Sequence, residues 1–184
     1  MNHNITLRDD QVVELKQLME IFGNEVLNMV GHDGYTPLNL ASQQGLIETV
    51  EFLISVGADP NICNKKGDTP LINASRSNVL VIVKLLTNYS KTNLNSQDGN
   101  NHTALHWAVY NNNTEMVEVL VNENINSSLT TFQNEIALDV AKKLHREEIV
   151  KILENYFPSF QSLTKSCLRN NGVDVSKIPK IILA

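Results

Sequence analysis

Apolar residues recur along this chain in short blocks that keep one period. Four leucines, Leu38, Leu71, Leu105 and Leu138, are separated by steps of 33, 34 and 33 residues. An alanine stands three residues after each of them, at positions 41, 74, 108 and 141. Because residues three apart lie on one face of a helix, each leucine and its alanine predict one apolar face of a short helix.

A second apolar block begins twelve residues after each leucine and keeps the same period. The four blocks are Val50-Glu51-Phe52-Leu53, Val83-Lys84-Leu85-Leu86, Val117-Glu118-Val119-Leu120 and Val150-Lys151-Ile152-Leu153. Their apolar positions have the spacing of a second amphipathic helix in each unit. Two independent blocks that share one period indicate an internal repeat.

Polar and special residues mark the start of the first helix in each unit. Thr36 and Thr69 stand where a hydroxyl can accept the free N–H groups of a helix start. Pro37 and Pro70 then occupy the first helical position, where a missing N–H costs nothing. These residues predict short helices that begin at Pro37 and Pro70.

Turn residues separate the two predicted helices and end the second one. Gly45 follows the first helix of one unit, and Asn78 and Asn112 stand at its equivalents in the next two. Gly57 follows the next apolar stripe, and glycine ends a helix in a left-handed conformation at little cost. Each unit is therefore predicted to be a helix-turn-helix pair.

These residues are where the chain resembles the ankyrin repeat family, whose signature includes Thr-Pro-Leu-His-x-Ala at a period of 33. The resemblance implies an all-α ankyrin-repeat solenoid of stacked helix-turn-helix pairs, with a short C-terminal helical segment. A single helix pair cannot bury its own apolar stripe, so consecutive repeats must stack into a continuous core. We expect about four repeats over residues 32–157, a degenerate N-terminal capping repeat over residues 1–31 and a separate segment over residues 158–184.

The first and last units depart from the pattern. Residues 11–23 look like the outer helix of a first repeat that lacks Thr-Pro-Leu. In the last repeat, Ile136 replaces the capping threonine and Asn134 replaces the turn glycine. The outer face of a terminal repeat is exposed to solvent and needs more polar residues, so these departures from the pattern are expected.

Composition and charge exclude several classes of function. The net charge is −5, and the lysines and arginines are scattered, which argues against a nucleic-acid partner. The N-terminus has no secretory signal, and the longest apolar runs are far shorter than a membrane span. We therefore expect a cytoplasmic or nuclear monomer that does not act at a membrane.

Motifs for catalysis or metal binding are missing from the sequence. Cys63 and Cys167 are far apart and have no second cysteine or histidine at ligand spacing, so we expect neither a disulfide nor a zinc site. No nucleophile triad, phosphate loop or zinc-protease motif occurs, so we expect no enzyme activity and no cofactor. For His106 and Trp107, the ankyrin resemblance implies structural roles: hydrogen bonds that knit the turns, and packing between repeats.

The ankyrin resemblance also predicts where a partner protein would bind. In such a stack the turn tips and the exposed side of the first helices line a concave groove. The residues that this register assigns to the groove are Asp33, Tyr35, Gln43, Gln44, Lys65, Lys66, Asp68, Arg76, Asn100, His102, Tyr110 and Asn111, with Ser77 and Gln133 beside them. Tyrosine and arginine often dominate binding energy at interfaces. The alternative for any single residue is an ordinary solvated position.

The residues after Pro158 no longer follow the period. Ser162-Leu163-Thr164-Lys165-Ser166-Cys167-Leu168-Arg169 resembles the elongin-binding box of SOCS-box proteins. The resemblance implies a short amphipathic helix that inserts Leu163 into a pocket of elongin C, with Cys167 one turn along on the same face. Residues 173–180 resemble the turn that leads to the cullin contact in that family. The alternative is a C-terminal helix that folds back as a cap on the last repeat.

Three hypotheses of function follow. The first is a substrate-recruiting adaptor, which holds a target protein in the groove and docks on elongin B/C and a cullin through its tail. The second is an ankyrin scaffold or inhibitor that binds a protein partner and uses the tail only as a structural cap. The third is a subunit that regulates a separate catalytic chain.

Overall fold

The computed structural model describes residues 11–31, 33–123 and 125–157. Within these ranges it contains nine α-helices and no strand, which confirms the all-α solenoid prediction. The helices are α1 (Gln11–Phe22), α2 (Pro37–Gln44), α3 (Ile47–Ser55), α4 (Pro70–Arg76), α5 (Leu80–Asn88), α6 (Ala104–Tyr110), α7 (Thr114–Asn122), α8 (Ala137–Lys143) and α9 (Glu147–Tyr156), and a 3-10 helix at Gly23–Asn28 follows α1. Residues 158–184, where the sequence predicts the C-terminal segment, lie outside the described residues.

The helices form two rows. The inner row consists of α2, α4, α6 and α8, and each of these packs on the next. The outer row consists of α1, α3, α5, α7 and α9, and it is built in the same way. Each inner helix also packs on the outer helix that follows it in sequence. Residues 11–23 were predicted to supply an outer helix, and α1 takes that place beside α3.

The helices α2 and α4 begin directly after the predicted threonines Thr36 and Thr69, and α6 begins in the same way after Thr103. The hydroxyls of Thr36, Thr69 and Thr103 accept the N–H groups of the residues three positions later, at 3.2, 3.4 and 3.4 Å. The helix α8 has Ile136 at this position and therefore no hydroxyl. There the carboxylate of Asp139 accepts the N–H of Ile136 at 3.1 Å, which is the reverse bond of a capping box, while no side chain of Ile136 caps the first turn.

The turn between the two helices of a pair requires a left-handed residue. Gly45 has a φ of 78°, and Asn78 and Asn112 at the equivalent positions have φ values of 59° and 55°. Asparagine tolerates this conformation better than most residues with a side chain. The prediction of a turn at these three positions is confirmed, and His145 takes the same conformation in the last pair.

The four aligned alanines and three of the aligned leucines make the centre of the core, whereas Leu138 in the last repeat is half-buried. Leu38, Leu71 and Leu105 are at most 2% exposed, and the four alanines of the register are fully buried. The final leucines of the second blocks, from Leu53 to Leu153, are buried as well. Small alanine side chains let neighbouring inner helices approach closely, so the apolar face of each helix pair packs tightly against that of the next pair.

Two rows of hydrogen bonds join successive repeats along their edges. At the turn tips, the N–H groups of Lys65, Gly99 and Phe132 donate to carbonyl groups of the preceding turn. On the other edge, the side-chain oxygens of Asn28, Asn61 and Asn95 accept the N–H groups of Asp59, Asn93 and Asn126, at 2.9, 2.7 and 2.8 Å. These bonds fix the position of each loop relative to its neighbour.

Truncating a leucine of the core should cost much more than truncating an exposed apolar residue. We expect Leu71→Ala to lower the free energy of unfolding by about 2–5 kcal/mol, because it leaves a cavity between two inner helices. The matched control is Val81→Ala, since Val81 is 49% exposed. Urea melts that show equal losses for the two variants would contradict the register.

Candidate functional site

The turn tips and the exposed side of the inner helices form one continuous surface, which we call the groove face. In every repeat, a turn residue contacts the side chain eight residues later on the inner helix. These pairs are Tyr35 with Gln43 at 3.4 Å, Asp68 with Arg76 at 2.6 Å, His102 with Tyr110 at 3.5 Å, and Glu135 with Lys143 at 2.7 Å. The type of pair at these equivalent positions thus changes from repeat to repeat: it is polar and uncharged in the first, ionic in the second, aromatic in the third and ionic again in the fourth.

Arg76 is the centre of a polar network between the second and third repeats. Its guanidinium binds the carboxylate of Asp68 through two nitrogens and also donates to Asp98 of the next turn, at 2.9 Å. The same guanidinium lies 4.4 Å from the centroid of the Trp107 ring. The side chains of Asp68 and Asp98 are 0% and 1% exposed, whereas that of Arg76 is 31% exposed. Arg76 thus compensates two buried charges and holds two repeats together.

Asp98 is held ionised by the groups around it. Burial by itself raises the pKa of this carboxyl, but hydrogen bonds from the backbone N–H groups of His102 and Asn100 and from the Trp107 indole outweigh burial. The pKa of Asp98 is consequently lowered from its ordinary value. Its two oxygens accept these three bonds and the one from Arg76, so Asp98 has no open position for a ligand.

An aromatic cluster lies beside this network on the third repeat. The rings of His102, Trp107 and Tyr110 are 5.2 to 5.6 Å apart, in tilted and edge arrangements. Burial raises the pKa of Tyr110, so its hydroxyl stays protonated and can donate a hydrogen bond. The expected packing of Trp107 between repeats is confirmed, because its indole lies against Arg76 of the preceding repeat.

The predicted groove residues differ in how accessible they are. Asp33, Gln43, Lys65, Lys66 and Asn100 are exposed, and Tyr35, Gln44, Arg76, His102, Tyr110 and Asn111 are half-buried. Asp68 is buried beneath Arg76, and the side-chain amide of Asn111 donates to the carbonyl of Ser75 at 2.8 Å. A role for these residues in binding stays a prediction, and Leu163 and Cys167 lie outside the described residues.

Phe132 is a residue of the groove face that the sequence reasoning missed. It stands at the tip of the fourth turn and is 67% exposed, although its N–H is fixed by the carbonyl of Asn100. The equivalent residue of the second repeat is Lys65, so Phe132 breaks a polar pattern at the tips. A large aromatic side chain at this polar position was the signal that could have identified it.

His106 joins the third and fourth repeats through hydrogen bonds. Its Nδ1 accepts the N–H of Thr103 at 3.2 Å, and its Nε2 donates to the carbonyl of Glu135 at 3.2 Å. The expected hydrogen-bonding role is thereby confirmed. His106 is 1% exposed and Thr103 is 5% exposed, so this hydroxyl and imidazole pair is closed to solvent. Burial lowers the pKa of His106 and keeps it neutral.

The described residues contain neither a candidate metal site nor a membrane-spanning helix. Residues 11–31, 33–123 and 125–157 hold no group of three or more histidine, cysteine, aspartate or glutamate side chains that could bind a metal ion. No helix among those residues has both the length and the apolar character needed to cross a membrane. Cys63 is exposed and unpaired there.

Comparison with known proteins gives one family. The model described as "Ankyrin repeats (3 copies)" matches residues 8–98, 38–129 and 80–161. The matches end before Leu163 and Cys167, so they provide no support for a SOCS box.

Similar proteins differ widely in their names. Alpha-latrotoxin-Lg1a of Latrodectus geometricus is 32% identical over 142 residues, which are 74% of this chain and 10% of that protein. Transient receptor potential cation channel subfamily A member 1 of Homo sapiens is 30% identical over 113 residues, which are 61% of this chain and 10% of the channel. Palmitoyltransferase AKR1 of Kluyveromyces lactis is 34% identical over 105 residues, which are 55% of this chain and 14% of the enzyme. The chain thus spans only a small part of these relatives.

The buried His106 should make stability depend on pH. Since folding lowers its pKa from 6.5, the unfolded chain binds more protons near and below that pH, and stability falls as the pH drops below it. Urea unfolding at about pH 7.5 and about pH 5.5, on either side of histidine's ordinary pKa, should show lower stability at the acidic pH. His106→Asn, which introduces the residue present at the equivalent position 39, should reduce this difference.

The control for this measurement is His145→Asn. His145 is exposed and left-handed, and asparagine already stands at the equivalent positions 78 and 112. The control should keep the difference between the two pH values. An unchanged difference in His106→Asn would rule out His106 as its source.

Proposed function

The chain belongs to the ankyrin repeat family, and we propose that it holds a partner protein on its groove face and performs no chemistry itself. The observation that carries this proposal is the row of exposed side chains on turns whose backbones are already fixed by hydrogen bonds. A surface that is ordered before binding loses little conformational entropy on binding, which favours affinity. The exposed ring of Phe132 and the half-buried rings of Tyr35 and Tyr110 on the same face are of a residue type that often supplies binding energy.

The relatives support a binding module rather than one shared activity. By their names they are a toxin, a cation channel and a palmitoyltransferase, and each matches 55% to 74% of this chain but only 10% to 14% of its own length. A single catalytic role cannot account for a segment found in such different proteins. We therefore assign binding to the repeats and propose that any activity of an assembly resides in other chains or domains.

Binding at the groove face can be tested with a random peptide library displayed on phage. Peptides selected on the intact chain should lose affinity for a triple variant of equivalent tip residues, Lys66→Ala, Asn100→Ala and Gln133→Ala. A loss of about 30-fold or more is expected if the tips contain a binding hot spot. Fluorescence anisotropy of labelled peptides measures the affinity.

The matched control changes three equivalent and exposed residues of the outer row, Glu51→Ala, Glu118→Ala and Lys151→Ala. Peptides should bind this variant as they bind the intact chain. If the outer variant loses the peptides and the tip variant keeps them, the groove face is the wrong surface. Recovery of no binding peptide would also count against the proposal.

A more specific role rests on the tail. We propose that the chain is a substrate-recruiting adaptor whose residues 158–184 dock on elongin B/C and then on a cullin, so that a target on the groove face is ubiquitinated. This role would place the protein in the cytoplasm or nucleus. The support is the sequence resemblance around Leu163 and Cys167 and the order of the parts, with ankyrin repeats directly before the box. The competing proposal is a scaffold or inhibitor whose tail only caps α9.

Co-elution with purified elongin B/C separates these two proposals. The intact chain should co-elute, whereas Leu163→Asp and a chain without residues 159–184 should not, because a buried charge is costly in an apolar pocket. Lys165→Asp is the matched control, since a residue two positions away does not share the helix face of Leu163. If the intact chain fails to co-elute and removal of the tail lowers the melting temperature, the tail is a cap and the adaptor proposal is wrong.

A further inference from the structure

A depression of about 500 Å³ lies on the groove face between the second and third turns. It is lined by Lys66, Arg76, Asp98, Gly99, Asn100 and Trp107. Both turns that form its rim are fixed to each other, because the N–H of Gly99 donates to the carbonyl of Lys66 at 2.7 Å. The depression is therefore a preformed part of the surface.

The polar groups that a ligand could reach in this depression are mainly hydrogen-bond donors. The carboxylates of Asp68 and Asp98 are buried and both bind Arg76, and Asp68 also accepts a hydrogen bond from the side chain of Asn64. The groups left at the surface are the ammonium of Lys66 and the amide of Asn100, since the guanidinium of Arg76 is engaged by Asp68 and Asp98. Among the described residues, Lys66 makes no ion pair at all, unlike Lys84, Lys142 and Lys143.

We propose that this depression receives the carboxylate of one aspartate or glutamate of the partner protein. The inference deepens the proposed function, on which it rests, by giving the chemistry of the bound segment. The carboxylate accepts hydrogen bonds from Lys66 and from Asn100, and the methylene groups of the acidic side chain lie against Trp107. Charge-assisted hydrogen bonds of this kind are among the stronger polar contacts in interfaces.

The local charge balance favours one carboxylate over a polyanion. Lys66 and Arg76 bring two positive charges, and Asp68 and Asp98 bring two negative charges to the same place. The depression therefore has no net positive charge that would attract a chain of phosphates. The donors of Lys66 and Asn100 act only over hydrogen-bond distance, so they suit one small anionic group such as a carboxylate.

Phe132 supplies a second contact at a predictable distance. It stands at the tip of the fourth turn, beyond the third turn, whose Asn100 lines the depression. The N–H of Phe132 donates to the carbonyl of Asn100 at 3.3 Å, so Phe132 lies directly beside the depression. Hydrogen-bonded backbone segments lie about 5 Å apart, and an extended peptide advances about 3.3 Å per residue. A bound extended segment therefore places an apolar residue opposite Phe132 about one to three residues from the acidic one.

The experiment uses the peptides that bind the groove face of the intact chain in the phage selection described above. They should contain more aspartate and glutamate than the unselected library, with an aromatic or aliphatic residue at the stated spacing. Their affinity should fall by about tenfold or more in Lys66→Glu, as expected when a charged hydrogen bond is replaced by repulsion. A new selection on Lys66→Glu should enrich lysine or arginine at the acidic position.

Lys151→Glu is the control because it makes the same change of charge on the exposed side of the outer row. It should leave the affinity unchanged, and thermal melts should show that both variants are folded. Groove-face binders without an excess of acidic residues, or equal losses in the two variants, would overturn the inference and leave the proposed binding function standing. A selection that yields no groove-face binder would overturn both.

Discussion

Burial of the leucine and alanine faces between neighbouring helix pairs is the interaction on which the rest of this structure depends. A single pair has an apolar stripe that only an adjacent pair can cover, so no repeat is stable by itself. The full burial of Ala41, Ala74, Ala108 and Ala141 shows how closely the inner helices approach. The turns are placed by this stacking, and so is every side chain of the groove face.

Stacking also decides which charges remain for a partner. Asp68 and Arg76 come together across one turn, and stacking brings Asp98 of the next turn against the same guanidinium. These groups are thereby committed to holding the repeats in place. Lys66, Asn100 and Phe132 project from the same turns without such commitments of their side chains, and the two proposals about binding rest on them. One set of turns thus contains both residues that stabilise the stack and residues that are free to recognise another protein.

Most of the fold could be predicted from the sequence because its signal repeats. The period of the leucines places the helices, the threonines and prolines give the starts of the inner ones, and Asn78 and Asn112 mark left-handed turns at the positions of a glycine. Each of these depends on residues near one another in the chain, where local geometry decides the conformation. The structural role of His106 was predicted from the ankyrin resemblance, and its bond with Thr103, three residues away, agrees with that prediction.

The candidate site was less predictable, because it depends on contacts between residues that are distant in sequence. The burial of Asp68 follows from its pairing with Arg76, and the network closes only through Asp98, 22 residues beyond Arg76. The sequence gives no local sign of this arrangement. The exposure of Phe132 is likewise set by how the fourth turn sits on the third. The role proposed for residues 158–184 depends only on the sequence resemblance of the segment around Leu163 and Cys167 to the elongin-binding box of SOCS-box proteins.

The asparagines on the edge opposite the turn tips restrict how the length of this protein can change during evolution. Asn28, Asn61 and Asn95 each bind the backbone of the following repeat, and each bond requires the same register. The paired residues are 31, 32 and 31 positions apart, so the series tolerates one extra residue between Asn61 and Asn93. A larger insertion between two paired positions would break only the bond that spans it, whereas duplication or deletion of one whole unit would keep every bond. Changes in the length of this protein are therefore expected to occur by whole repeats or by single residues in the loops.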